Sequence, residues 1–425
     1  PVTQRPPVRI PHFPEITDLA VLPNDVMYMD GDGSVVVTAE IAFADTGLDI
    51  QTLWVRLPDG TSIEIDKSFA TETGTFTENF TVSTERIGAF ILELWLEDAA
   101  GDSSGYRTAE FNVAWDVQSS DWTSRLSGLP YTLNDVIWDG SVFIAVGDGG
   151  IVLTSVDGID WVTRASGTDD TLNAVAAHGP DIFAVGGSAV LLSTDHGETW
   201  AVKDGPDFAP QAVIVNSSHV VVAAGNLGDL FAARISVSAD RGDTWQDGYL
   251  DCSLFCGSFS DLYYRDGLFV ATTHQLFSDR DGRALVSTDG VSWTTVFSAA
   301  EAGLFAIVHD GSQYVVSGAN GTIITSFGGL NWTHSRLPVA NVDYGSAAWN
   351  GSKLVLAGGY AWRYYNRGDT PPFEVPVGVS STDGGVTWDI FNIDGEYESH
   401  GMAFGNGLFV SVGDSTGEGA IYTAD

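Results

Sequence analysis

A single phrase recurs along the last three quarters of the chain and limits what the chain can fold into. It consists of serine, any residue and aspartate, then a glycine and, three residues after that glycine, a tryptophan. Successive copies begin 38 to 55 residues apart. Repeats of this length predict a row of similar supersecondary units, each too small to bury its apolar face alone. Five copies are complete, a sixth has Gly328 instead of the aspartate, and a seventh stops at Asp425; the complete copies carry Asp157, Asp195, Asp240, Asp289 and Asp383.

Each copy is preceded by a second repeated pattern, in which two apolar segments flank a tight turn. VIWDGSVFIAVG (136–147) and AFGNGLFVSVG (403–413) are examples. Asp-Gly and Asn-Gly between apolar runs are strong hairpin signals, because these residues tolerate the left-handed backbone that a two-residue turn needs. Each unit therefore predicts four short strands: a hairpin, a third strand before the serine, and a fourth strand that begins at the tryptophan.

These phrases resemble the Asp-box, or BNR-type, repeats of β-propellers. The resemblance implies that each unit is one blade and that residues 117–425 form a seven-bladed propeller. It implies structural roles for the tryptophans, which fill space between sheets, and for the aspartates, which accept hydrogen bonds from the turn. The aspartates concerned are Asp157, Asp195, Asp240, Asp289, Asp383 and Asp425.

Residues 133–164 are similar to the repeats of seven-bladed assembly and stability factors of photosystem II. The tryptophan-x-x-arginine sequences of those factors contribute to a basic patch. Here, residues 117–425 contain 12 Lys and Arg against 36 Asp and Glu. The resemblance therefore implies the fold, and the photosynthetic function does not follow from it.

The two ends of the repeat region complement each other. The seventh unit lacks a fourth strand, whereas WTSR (122–125), which precedes the first unit, matches the fourth-strand sequence WVTR (161–164). Residues 119–126 are therefore predicted to close the last blade, which removes the unpaired sheet edge.

The first part of the chain has a different pattern. Residues 1–14 contain five prolines and predict an extended tether. Residues 15–116 contain seven alternating segments between turn residues, which predicts an immunoglobulin-like β-sandwich. Within it, Asp30-Gly-Asp-Gly-Ser34 is interpreted as a hairpin turn, with a calcium loop as the alternative. The fold class predicted for the whole chain is all-β: an Ig-like β-sandwich followed by a seven-bladed β-propeller.

Charge and composition exclude several classes of function. The chain has 56 Asp and Glu against 18 Lys and Arg, a net charge of −38, which repels nucleic-acid phosphates. No apolar run approaches the ~20 residues of a membrane helix. We therefore expect no nucleic-acid partner and no membrane insertion. Strong acidity keeps a protein dispersed, and we expect a secreted bacterial protein, extracellular or at the cell surface, with the periplasm as the alternative. Cys252 and Cys256 predict a local disulfide, with two free thiols as the alternative.

The candidate binding site lies on the face where the longer loops are expected. The longest loop, 359–377, has a composition typical of binding surfaces, although its aromatic residues are alternatively interpreted as packing against the blade. Its candidate residues are Tyr360, Trp362, Arg363, Tyr364, Tyr365 and Arg367. Alignment of the first strands predicts a central funnel lined by Asn134, Asn173, Gln211, Ser260, Phe305, Gly345 and His400. Since no two histidines have a metal-ligand spacing, neither a metal nor another cofactor is expected.

These features favour a non-catalytic binding or assembly module that presents the loop-rich face to a protein or polysaccharide partner. The alternative is a polysaccharide lyase or glycoside hydrolase with its site in the funnel. A carboxylate pair or a His–Tyr–Arg cluster in the funnel would favour that alternative. Sialidases also carry Asp boxes, but the match to their early arginine motif is Arg9-Ile-Pro11, which lies in the tether.

Overall fold

The computed structural model describes residues 13–22, 26–29, 34–57, 60–69, 71–83, 88–115, 122–216, 220–225, 233–251, 257–274, 282–299, 302–337, 342–360, 378–393, 397–415 and 417–425. Within these residues the protein is all-β, as predicted, with two short 3-10 turns (Asp148–Gly150 and Ala319–Gly321) and no α-helix. None of the described residues forms a helix long and apolar enough to cross a membrane. The chain divides into two compact units, Pro1–Asp116 (unit 1) and Val117–Asp425 (unit 2).

The described residues of unit 1 form eight strands in two sheets, ordered β1-β3-β6 and β2-β8-β7-β4-β5. The strands are β1 (Glu15–Leu22), β2 (Val26–Met29), β3 (Ser34–Ala44), β4 (Ile50–Arg56), β5 (Ser62–Asp66), β6 (Thr73–Ser83), β7 (Gly88–Asp98) and β8 (Arg107–Trp115). Alternate residues such as Val37, Ile41, Leu94 and Leu96 are buried, which is the consequence of the period-2 pattern. Seven of these strands coincide with the seven alternating segments. The eighth, β2, pairs parallel with β8 and has too few residues to display an alternation.

In its described residues, unit 2 contains seven sheets, six of them antiparallel with four strands and one with five strands, in which the outer strand β22 (Tyr249–Leu250) runs parallel to its neighbour. In chain order, sheet 1 has β10 (Leu133–Trp138), β11 (Phe143–Gly147), β12 (Val152–Ser155) and β13 (Val162–Arg164); sheet 2 has β14 (Ala174–His178), β15 (Asp181–Gly186), β16 (Ala189–Ser193) and β17 (Ala201–Lys203); sheet 3 has β18 (Ala212–Val215), β19 (Val220–Gly225), β20 (Ala233–Ser238) and β21 (Gln246–Asp247); sheet 4 has β22 (Tyr249–Leu250), β23 (Ser258–Arg265), β24 (Leu268–His274), β25 (Gly282–Ser287) and β26 (Ser292–Ala299).

The remaining three sheets of unit 2 repeat the four-stranded order. Sheet 5 has β27 (Leu304–His309), β28 (Tyr314–Gly318), β29 (Thr322–Ser326) and β30 (Thr333–Arg336); sheet 6 has β31 (Val342–Trp349), β32 (Leu354–Tyr360), β33 (Gly378–Ser381) and β34 (Asp389–Phe391); sheet 7 has β35 (Tyr397–Gly405), β36 (Leu408–Ser415), β37 (Glu418–Ala424) and β9 (Thr123–Leu129). Sheet 7 therefore takes three strands from the end of the unit and one from its beginning.

The first strands of the seven sheets form a closed cycle of neighbours. β10 contacts β14, and the contacts continue through β18, β23, β27 and β31 to β35, which in turn contacts β10. Apolar side chains fill the spaces between consecutive sheets: one cluster combines Ile144 and Val152 of sheet 1 with Val175 and Ile182 of sheet 2. Burial of each such side chain contributes about 1.5–3 kcal/mol, so each sheet is stabilised mainly by its two neighbours.

The strand that completes sheet 7 is held by the same side-chain contact that is found in sheet 1. In sheet 1, Arg164 Nε donates to Thr154 Oγ1 at 2.9 Å, from the fourth strand to the third. In sheet 7, Arg125 Nε on β9 donates to Thr423 Oγ1 on β37 at 2.8 Å. β9 therefore occupies the position in sheet 7 that β13 occupies in sheet 1.

The repeated Ser-x-Asp phrase forms the turn between the third and fourth strands. In sheet 1, Asp157 Oδ1 accepts the backbone N–H groups of Ile159 and Asp160 at 2.9 and 3.0 Å. Trp161 Nε1 donates to Gly158 O at 3.1 Å, and Gly158 has a φ of 76°, which a β-carbon would strain. The same aspartate-to-turn bonding occurs at Asp195, Asp240, Asp289 and Asp383, whereas Asp425 follows β37 as an exposed residue.

Candidate functional site

Each first strand of unit 2 begins at a position where its pairing with the second strand is irregular or just starting. In β10 the register shifts between Leu133 and Asp135, which leaves Asn134 unpaired. β23, β27, β31 and β35 show the same irregularity. We call the side of unit 2 that carries these positions the bulge face. The equivalent residues are all half-buried; they are Asn134, Asn173, Gln211, Ser260, Phe305, Gly345 and His400.

The three widest gaps between consecutive strands also open on the bulge face. Seventeen residues separate β32 from β33, between the second and third strands of a sheet, nine separate β13 from β14 and eight separate β17 from β18. The last two gaps lie between a fourth strand and the first strand of the next sheet, which the alternation of strand direction places on the same side. The second strand of a sheet ends beside the beginning of its first strand, since the two are antiparallel. On the opposite side, short turns join the first strand to the second and the third to the fourth, and we call that side the turn face.

Two of the predicted funnel residues tie neighbouring sheets together. Asn134 Nδ2 donates to Leu172 O at 3.0 Å and to Asp148 Oδ1 at 3.3 Å. Asn173 Nδ2 donates to Pro210 O at 2.8 Å. These amides therefore satisfy backbone carbonyls at the boundaries between sheets 1 and 2 and between sheets 2 and 3.

His400, at the same position in sheet 7, has charged neighbours instead. Its Nε2 lies 3.8 Å from Asp414 Oδ2, which is longer than a hydrogen bond. The ligating atoms of Glu398, His400 and Asp414 all lie within 4.8 Å of one another. We call these three residues the acid–histidine cluster. The side chains of His400 and Asp414 are 28% and 22% exposed and Glu398 is an exposed residue, so the cluster is open to a ligand.

The cluster carries an excess of negative charge. Although Glu398 is exposed, partial desolvation by the surrounding protein raises its pKa above the usual range; His400 opposes this rise, and the charges of Asp414 and Asp343 add to it. Asp343 is the second residue of β31, the first strand of the neighbouring sheet 6, where its Oδ1 accepts the N–H of Asn320 at 2.9 Å. Among the groups that shift the pKa of Glu398, only His400 can carry a positive charge.

Local packing positions this cluster on a rigid base. A β-carbon added to Gly359 would lie 2.5 Å from Glu398 Cγ, so the glycine makes room for the Glu398 side chain at the end of β32. Between Glu398 and His400, the Ser399 hydroxyl points inward, 2.6 Å from Ser346 Oγ of sheet 6 and 2.7 Å from Ser411 Oγ. This buried hydroxyl chain joins β31, β35 and β36.

A pair of buried carboxyls lies one residue beyond the bulge positions. Asp135 Oδ2 accepts the N–H of Val175 in the next sheet at 2.8 Å, and Asp261 Oδ2 accepts the N–H of Ile307 at 2.9 Å. Burial raises the pKa of each to about 7, and the negative charge of Asp135 adds to the rise for Asp261. Part of each residue remains open, although protein atoms surround its carboxyl group. Two carboxyls from sheets 1 and 4 are thus near enough to repel each other.

Several predicted site residues lie outside the described part of the chain. These are Trp362, Arg363, Tyr364, Tyr365 and Arg367 of the long loop, and Cys252 and Cys256. Tyr360 ends β32, and only its backbone is described. Gln211 is half-buried before β18, and Ser260 Oγ lies 2.8 Å from His274 Nδ1.

The sequence pattern did not predict the carboxyl groups that distinguish this face. Glu398 and Asp414 lie two residues before His400 and fourteen residues after it, a spacing that no metal motif predicts. A signal was present in the repeats: Val-Gly-Asp occurs at 146–148 and again at 412–414. In an alignment of the repeat units, Asp414 is therefore equivalent to Asp148, and Glu398 is equivalent to Thr132.

Comparison with known proteins identifies no family. No protein-family model matches the sequence, and no curated protein matches it. Among solved structures, the chain is similar to the crystal structure of the computationally designed Ika8 protein, at 14% identity and a TM-score of 0.45, over 70% of this chain and 99% of that one. At this TM-score the similarity carries no argument about fold or function.

Proposed function

We propose that unit 2 is a seven-bladed β-propeller of the Asp-box type and that unit 1 is an Ig-like sandwich. The closed cycle of first-strand contacts supports a ring of blades. The recurring aspartate and tryptophan bonds of the third-to-fourth-strand turns support the Asp-box assignment. The two-sheet arrangement of unit 1 supports the sandwich.

We propose that the protein is a secreted, non-catalytic binding or assembly module of a bacterium, whose bulge face engages a protein or polysaccharide. One observation carries this proposal: the widest inter-strand gaps of unit 2 all open on the bulge face. Variation confined to one end of a regular scaffold is typical of ligand sites. The net charge of −38 argues against a nucleic-acid partner.

The loop between β32 and β33 supplies the binding residues of the proposed site. It combines the aromatic residues Tyr360, Trp362, Tyr364 and Tyr365 with Arg363 and Arg367. Flat aromatic rings stack on sugar faces or anchor a protein partner at a small entropy cost, and arginine forks onto carboxylates or sulfates. Gly359, where the loop leaves the sheet, lies against Glu398, so the loop begins at the acid–histidine cluster.

A double variant tests the proposal. Trp362→Ala with Tyr365→Ala is expected to weaken retention on immobilised neutral and acidic polysaccharides by about tenfold or more, with an unchanged melting temperature. The matched control is Phe327→Ala, because Phe327 is 80% exposed on the turn face and its loss should leave binding unchanged. Equal binding by the double variant and the wild type would place the site elsewhere.

A second candidate function, a polysaccharide-active enzyme, is favoured by Asp135 and Asp261. Carboxyls with a pKa near 7 suit general acid–base chemistry. However, both oxygens of each carboxyl already accept backbone N–H groups, which favours a structural role. Incubation with polysaccharides distinguishes the structural role from the enzymatic one. If the wild type produces new unsaturated or reducing ends and a folded Asp261→Asn variant does not, the enzyme is favoured.

A further inference from the structure

The acid–histidine cluster offers a mixed set of metal ligands. Glu398 and Asp414 supply carboxylate oxygens and His400 supplies an imidazole nitrogen, with one ligating atom from each within 4.8 Å of the others. Carboxylate and imidazole together suit first-row divalent ions such as Zn²⁺, whereas Ca²⁺ prefers oxygen ligands alone. Three protein ligands leave coordination positions open to water or to a partner.

Sheet 1 serves as an internal control, because it shows how the three equivalent positions are occupied where no metal-binding cluster forms. There, Thr132, Asn134 and Asp148 occupy the places of Glu398, His400 and Asp414. Asn134 donates to both Asp148 and Leu172 O, which completes the local hydrogen bonding. In the described part of sheet 7, no hydrogen bond joins His400 to Asp414, because their nearest atoms are 3.8 Å apart. Asp414 Oδ1 accepts the backbone N–H of Gly417 at 3.2 Å, so the contrast with sheet 1 is that His400 does not bond to the aspartate as Asn134 does.

The surrounding residues give the cluster two further features of a binding site. Among the described residues, no Lys or Arg forms an ion pair with Glu398 or Asp414, so none of the described cations occupies the place of a metal. The strand that carries Glu398 and His400 is anchored between them by Ser399, which is 2% exposed and bonded to Ser346 and Ser411. A rigid strand holds ligands better than a mobile loop does.

We propose that Glu398, His400 and Asp414 bind one divalent first-row transition ion, of which Zn²⁺ is the probe. Asp343, on the adjacent strand, adds negative charge that favours a cation at this place. The ion lies on the bulge face, where its open positions accept oxygen atoms of a partner. The proposal does not depend on the binding function, since the metal is tested alone.

The site is tested by equilibrium dialysis and calorimetric titration of the full chain with ZnCl₂. The protein is first treated with a chelator, and the titration is done in ~0.15 M salt, which screens the surface carboxylates. The wild type is expected to bind one Zn²⁺ per chain. His400→Asn is expected to weaken binding at least about tenfold, and this variant should fold, because asparagine already occupies the equivalent position in sheet 1. Glu398→Gln and Asp414→Asn should weaken binding similarly.

Two control variants separate this site from general attraction to an acidic protein. His334→Asn removes an exposed histidine on β30, and Asp148→Asn removes the carboxylate of sheet 1 that is equivalent to Asp414. Both should bind Zn²⁺ as the wild type does. Equal affinity of the wild type and His400→Asn would overturn the proposal, as would tighter binding of Ca²⁺ than of Zn²⁺ that does not depend on His400.

Discussion

Sheets 1 and 7 of unit 2 are neighbours with the same strand order, yet they use the same positions differently. In sheet 1 a neutral amide, Asn134, bonds across to sheet 2. In sheet 7 the equivalent His400 lies among carboxylates. One residue further along the first strand, sheet 1 has the buried carboxyl of Asp135 and sheet 7 has Gly401. The backbone geometry is shared, so the difference shows that side chains at the bulge face determine whether a position ties sheets together or offers a site.

The largest difference in stability between the two sheets is expected from the effect of pH on Asp135. Because the pKa of Asp135 in the folded protein is raised to about 7 from 3.8, the folded state binds more protons than the unfolded state between about pH 4 and 7. Stability therefore falls as the pH rises through this window, by up to about 4 kcal/mol for this carboxyl. Urea unfolding at pH 4, 5.5 and 7 should show the wild type losing stability relative to Asp135→Asn.

The wild type and Asp135→Asn share all other titrating groups, so the difference between their free energies of unfolding reports on Asp135. Burial lowers the pKa of His274 and His309, which acts in the opposite direction. Turn aspartates such as Asp195, whose pKa is lowered to about 2 by hydrogen bonds from Thr199, lose their contribution only below about pH 4. A wild type that gains stability relative to Asp135→Asn from pH 4 to 7 would contradict the assignment.

The next largest effect is expected at Gly401, where sheet 7 has no side chain. A β-carbon there would lie 2.7 Å from Asp135 Cα and 3.0 Å from Val136 N. Gly401→Ala must therefore push β35 and β10 apart, and we expect a loss of about 2 kcal/mol. The control is Gly328→Ala, since nothing lies within 4 Å of a β-carbon at that position. Equal melting temperatures of the two variants would show that the two strands separate at little cost.

Truncation of the equivalent bulge residues should give unequal results. Asn134→Ala leaves Leu172 O and Asp148 without their amide donor, with an expected loss of about 1–2 kcal/mol. His400→Ala removes a side chain that makes no hydrogen bond to Asp414, and the expected change in free energy of unfolding is within about 0.5 kcal/mol. Chemical denaturation at one pH measures both; a larger loss for His400→Ala would mean that the cluster is structural.

The smallest effect concerns a contact that both sheets share. Arg164→Ala and Arg125→Ala each remove an Nε–H bond to a threonine hydroxyl, at 2.9 and 2.8 Å. Each should lower the free energy of unfolding by about 0.5–1.5 kcal/mol, and by similar amounts. A negligible effect of Arg125→Ala beside a clear effect of Arg164→Ala would show that β9 is held less firmly than β13.

The all-β class was predictable because apolar alternation and Asp-Gly turns are local signals. Strand β2 was missed, since its four residues pair with β8 from a distant part of the chain. Glu398 and Asp135 were missed for the same reason, because their surroundings depend on contacts between sheets. Glu398 lies against Gly359, and Asp135 accepts a hydrogen bond from Val175. The aromatic residues of the 359–377 loop stay a prediction, and so does the disulfide between Cys252 and Cys256.

The pairing of β9 with β37 also bears on how unit 2 folds. Arg125 and Thr423 are 298 residues apart in the chain, so sheet 7 cannot be completed during synthesis until almost the whole unit has emerged. Contacts of such long sequence separation slow folding, because chain entropy is lost before the contact forms. Sheets 1 to 6 can assemble in order from their own consecutive strands, and closure of the ring becomes the late step. Until that step, β37 presents an unpaired edge that β9 of another copy could cover, which makes strand exchange between chains the expected error of refolding at high concentration.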